Sequence, residues 1–108
     1  MNRATWKASE RRFAELLGGQ RVPVTGRGRG ETPDIAHPVF AIEHKCGQVM
    51  SSRLVEAVQQ ARAAAKQTGK LPLVTIEQSN GPGRANGRYV MMDIETFLAL
   101  CPQHHLSQ

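Results

Sequence analysis

Residues 40–46 read Phe-Ala-Ile-Glu-His-Lys-Cys, a run that suits a β-strand, whose successive side chains point to opposite faces. On such a strand Glu43 and Lys45 share one face and His44 takes the other. The chain must therefore build a pleated surface on which a carboxylate and an ammonium stand side by side. A second acid, Asp34, follows Pro33 and is separated from Glu43 by eight residues. Ala36-His37-Pro38-Val39 has the composition of a turn. Residues 34–37 and 39–46 are thus expected as the two arms of a hairpin, which can bring Asp34 and Glu43 close across the pair.

The rest of the chain alternates helix and strand signals. Thr5 is a suitable N-cap, and Trp6, Phe13, Leu16 and Leu17 recur at near-helical intervals until Gly18-Gly19. Glu10 lies on this helix, at the margin of its apolar face. Its bland reading is an exposed helical acid paired with Lys7. Arg21-Val22-Pro23-Val24 reads as an edge strand, where proline is tolerated. Residues 25–33 then alternate glycine with arginine, giving a loop able to approach a phosphodiester closely while carrying charge. From a cap at Ser51 or Ser52, Leu54, Val55, Val58, Ala61, Ala64 and Ala65 mark a long alanine-rich helix ending near Thr68-Gly69. Strands are expected at 71–76 and 89–92, with an irregular loop over 79–88 between them. Asp93 caps a last helix over 94–100, which Pro102 stops.

Charge is unevenly distributed. The 108 residues carry 14 Lys and Arg against 9 Asp and Glu, a net charge of +5. Setting aside Glu10, Asp34, Glu43 and Lys45 leaves thirteen bases against six acids, an excess suited to phosphate. Carboxylates are unfavourable near a polyanion, so acids grouped within a basic chain point to a bound cation and suggest a metal-dependent nuclease. Length is consistent with one domain over 1–108. Two cysteines without C-x-x-C spacing are too few for a disulfide scaffold and indicate a reducing compartment. No apolar run approaches a membrane span, and Met-Asn-Arg-Ala-Thr-Trp-Lys lacks a signal-peptide core. A cytoplasmic protein of a prokaryotic, archaeal or phage-infected cell, neither secreted nor membrane-bound, is expected.

In element order and in three local features the chain resembles the PD-(D/E)XK nuclease superfamily, and within it the small Holliday junction resolvases of archaeal and phage type. These features are Ser9-Glu10-Arg11-Arg12, Val22-Pro23-Val24-Thr25-Gly26, and Pro33-Asp34 with Ile42-Glu43-His44-Lys45. The likeness covers roughly residues 6–100. It implies an α/β fold with a restriction-endonuclease-like core, a mixed central sheet flanked by helices in the order α-β-β-β-α-β-β-α. It also implies Mg²⁺, with Mn²⁺ as a substitute, held by Asp34 and Glu43 with the His44 backbone carbonyl as a further ligand. Glu10 would join through water or complete a second site. Lys45 would orient the attacking water and stabilise developing charge, leaving a 5′-phosphate and a 3′-hydroxyl.

Some family members place a glutamine and a tyrosine one helical turn apart after the lysine. Here Gln59 and Gln60 occur without that tyrosine, so Gln60 is the candidate site residue at this position. Thr25, Arg27, Arg29, Arg11, Arg53, Arg84 and Arg88 are candidates for holding the DNA backbone. Resolution of a four-way junction takes two symmetric cuts, which implies a homodimer. A restriction-like or repair endonuclease of the same fold is the alternative, and a non-catalytic DNA-binding protein is the competing class. His44, Cys46, Cys101, His104 and His105 match no compact zinc spacing. Neither Ser51 nor Ser52 sits in a nucleophile elbow.

Overall fold

A computed structural model of the chain describes residues 3–23 and 32–101, Arg3 and Ala4 by backbone alone. It is a small α/β protein of two compact units, Met1–Val49 with Cys101–Gln108 and Met50–Leu100.

In the first unit, helix α1 (Arg3–Leu17) starts earlier than the Thr5 cap suggested. Its inner stripe is Trp6, Glu10, Phe13, Ala14 and Leu17, while Leu16 is exposed. Gly18, at φ 75°, takes the left-handed conformation that ends the helix. The Gly19 amide then reaches back to the Ala14 carbonyl at 2.8 Å, a Schellman-type closure. Strands β1 (Gln20–Arg21) and β2 (Ile35–Ala36) pair antiparallel, with Gln20 opposite Ala36 and Arg21 opposite Ile35. Val22 extends the pairing by donating to the Asp34 carbonyl at 2.9 Å.

The hairpin partner expected over 39–46 is reduced to a bridge between Ile35 and Ile42. Asp34 donates to the Ile42 carbonyl at 2.9 Å. Side chains take the amides that would have lengthened this ladder. His37 Nδ1 accepts from Val39 N at 3.0 Å and Phe40 N at 3.2 Å, so its proton is on Nε2, which donates to the Leu17 carbonyl at 2.8 Å. Farther on, the His44 amide donates to Asp34 Oδ2 at 2.8 Å. Ile35 lies between the flanking segments and is fully buried, a placement that contributes about 1.5–3 kcal/mol.

In the second unit, α2 (Ser52–Thr68) is capped by Ser51, whose hydroxyl accepts from Leu54 N at 3.3 Å. It ends at Gly69, whose φ is 71°. Its half-buried stripe of Leu54, Ala57, Val58, Ala61 and Ala65 faces β3 (Val74–Gln78). β3 starts later than expected, after Pro72, which has no amide to pair. It forms an antiparallel hairpin with β4 (Gly87–Met91), from Val74 opposite Met91 to Gln78 opposite Gly87. Asn80 Nδ2 donates to the Ala85 carbonyl at 2.9 Å and Asn86 Nδ2 to Glu77 Oε2 at 2.7 Å, so the connecting loop is braced at both ends. Asp93 caps α3 (Ile94–Leu100) by accepting from Thr96 N at 3.3 Å. Bonding to Thr96 holds the Asp93 carboxyl below its ordinary pKa.

Three helices and an α/β arrangement agree with expectation. Among the described residues, however, the strands form two separate antiparallel pairs in place of one mixed central sheet. Among the described residues, no helix is long and apolar enough to cross a membrane.

A methyl group at Gly19 would stand 2.5 Å from the Ala36 carbonyl oxygen and 2.9 Å from Ile35 Cγ2. Backbone cannot swing aside as a side chain can. Gly19→Ala is therefore expected to destabilise the first unit by about 1–3 kcal/mol; an unchanged thermal midpoint would show that the turn has slack.

Candidate active site

The 42–46 segment distributes its side chains as the alternation required. Glu43 and Lys45 are 67% and 72% exposed, with Lys45 Nζ 4.0 Å from Glu43 Oε2. His44, between them, is buried. Its Nε2 is hydrogen-bonded to Ser9 Oγ at 2.9 Å, and its ring lies 4.8 Å from that of Phe13. The His44 amide is held by Asp34. One residue thus connects the Asp34 carboxylate, the inner face of α1 and the exposed Glu43-Lys45 pair.

Glu10 has a different environment from the one expected. It is fully buried, and its Oε1 lies 2.6 Å from Arg21 Nε on β1. The alignment is poor for a hydrogen bond, so the contact is chiefly one of charge. Arg21 is 17% exposed and its guanidinium carbon lies 5.6 Å from the centre of the Trp6 ring. This overturns the bland reading of Glu10 as an exposed partner of Lys7. It also turns the acid toward a guanidinium within the fold.

Among the described residues, no group of three or more His, Cys, Asp or Glu side chains is arranged to hold a metal. Magnesium needs only one or two protein carboxylates, because it retains several waters. Asp34 and Glu43 lie on neighbouring antiparallel segments joined by the bond from His44 N to Asp34 Oδ2. Two carboxylates are as many protein donors as such an ion takes.

The other described candidates lie on elements of both units. Arg11 is exposed on α1, and Gln60 and Arg53 are exposed on α2 in the second unit. Arg84 is exposed in the β3–β4 loop, and Arg88 lies on β4 with Nε 3.5 Å from Glu77 Oε1. Thr25, Arg27 and Arg29 fall outside the described residues. Sequence reasoning missed Ser9, Arg21 and the side chain of His44. Placing His44 opposite Glu43 and Lys45 was a signal that it would face inward.

Breaking a buried pair leaves one charge uncompensated, which costs more than the pair itself contributes. Glu10→Gln is expected to lower unfolding free energy by about 3–5 kcal/mol, measured by urea denaturation. A loss under about 0.5 kcal/mol, typical of surface substitutions, would contradict the buried pairing.

Comparison of the chain with protein-family models, with curated proteins and with solved structures found no match in any of the three.

Proposed function

We propose that the chain is a Mg²⁺-dependent endonuclease of the PD-(D/E)XK type that resolves four-way DNA junctions by paired phosphodiester hydrolysis. The observation that carries this reading is the exposed Glu43-Lys45 pair, held on one face of a segment whose intervening amide is bonded to Asp34. Asp34 and Glu43 would hold the ion. When bound, Mg²⁺ supplies positive charge at the phosphoryl oxygens and makes a nucleophilic water easier to deprotonate. Lys45 orients that water and offsets the negative charge that grows as the phosphorus is attacked. Its ammonium is solvent-accessible, as a group that meets a large polyanion must be.

The net charge of +5 supports DNA as the substrate. Arg27 and Arg29, with Thr25, would track the phosphate backbone, and Arg11, Arg53, Arg84 and Arg88 are further candidates for phosphate contact. A chain of 108 residues has little room for added base-reading elements, which favours recognition of DNA shape. Twofold junction symmetry favours a homodimer, and exposed Leu71, Leu73, Tyr89 and Val90 supply apolar surface that dimerisation would bury. The Glu10–Arg21 pair favours a second reading, a DNA-binding protein without catalysis, because it engages one of the three expected acids. A restriction-like or repair endonuclease would use the same site on other DNA.

Glu43→Ala and Lys45→Ala are each expected to reduce Mg²⁺-dependent cleavage at least about 100-fold. Because both side chains are exposed, stability should stay within about 0.5 kcal/mol of the parent and DNA binding should persist. Full turnover by either folded variant would refute the assignment. The Arg27→Ala/Arg29→Ala variant should bind DNA more weakly, with a log K against log salt slope shallower by about 2. An unchanged slope would remove that loop from the DNA contact.

A further inference from the structure

Among the described residues, the 42–46 segment joins β2 through a bridge at Ile42, and the amide of His44 goes to a side chain. Exposed Glu43 and Lys45 are separated by 4.0 Å from each other, too far for a strong bond to fix either. The intervening residue is held from two directions, through its amide by Asp34 and through its ring by Ser9 and Phe13. Sliding a strand by one residue exchanges its two faces. Here such a slip would turn Glu43 or Lys45 toward the interior and put His44 in solvent. A carboxylate or ammonium is expensive in that interior, and the Ser9 hydroxyl would lose its imidazole partner.

We infer that Ser9 is a positioning residue: through the ring of His44 it sets the register that presents Glu43 and Lys45 together on the outer face. This assignment rests on the nuclease reading only for the chemistry that the face performs. Ser9 is buried and acts through His44. Hydroxyl-to-imidazole bonding is directional, so it selects one orientation of the ring where apolar packing against Phe13 alone would accept several. Because α1 supplies Ser9, the helix transmits its own position to the Glu43-Lys45 face.

Amide hydrogen exchange resolved by NMR, with cleavage kinetics on the same samples, tests the assignment. In Ser9→Ala, protection of the His44 amide, which is bonded to Asp34, should fall about tenfold, the scale of one lost buried hydrogen bond, while amides in the centre of α1 keep theirs. Cleavage kcat should fall by a similar factor with the KM for DNA unchanged. Ser9→Thr, which keeps the hydroxyl, should restore both. His44→Phe, which keeps ring packing on Phe13 but cannot bond Ser9, should reproduce the loosening at the residue 44 amide. Protection of the His44 amide within twofold of the parent in Ser9→Ala would overturn the assignment, as would a loss spread evenly through the first unit. If the parent cleaves no DNA while Ser9→Ala still loosens the His44 amide locally, the nuclease reading fails and the positioning role stands.

Discussion

Two consecutive buried residues of α1, Ser9 and Glu10, hold the first unit through separate contacts. Ser9 bonds the ring of His44, and Glu10 meets the guanidinium of Arg21 on β1. Ile35 on β2 is central to the packing, and Ala14 is the other apolar side chain buried among the described residues. With so small an apolar core, polar and charged contacts must supply much of the specificity of the arrangement. Their contribution lies less in net stabilisation than in the penalty for any packing that leaves them unmatched.

That division also separates structural charge from charge available to a ligand. Glu10 is compensated by Arg21 within the fold, whereas Glu43 and Lys45 remain largely in solvent. Asp34 stands between these cases, with one carboxylate oxygen fixing the His44 amide. A carboxylate anchored by a backbone donor is preorganised for a cation, because its rotamer need not be restricted on binding. The proposed metal site would therefore pair a tethered Asp34 with a solvent-exposed Glu43.

The alternation of residues 40–46 made the opposing faces of Glu43 and His44 legible in the sequence. Gly18-Gly19, Ser51, Gly69 and Asp93 likewise marked helix ends through well-defined local chemistry. Strand length was less accessible, because the competitors for the ladder were side chains: His37 takes the amides of Val39 and Phe40, and Asp34 takes that of His44. Nothing in local periodicity announces those bonds. Nor did it show that Glu10 would find Arg21, a contact across the turn between α1 and β1, or that Ser9 would reach His44 35 residues away. The candidate site was thus readable as residue types and faces, while the polar contacts around it depend on tertiary structure.

The most direct measurement is cleavage of end-labelled DNA by the purified chain with Mg²⁺, using a four-way junction, a flap and a plain duplex in parallel. Junction resolution by the Asp34, Glu43 and Lys45 site predicts symmetric nicks in opposing strands of the four-way junction, little cutting of the duplex, and no products when Mg²⁺ is chelated. Tight junction binding with no nick on any substrate in Mg²⁺ or Mn²⁺ would contradict it and identify a DNA-binding protein instead.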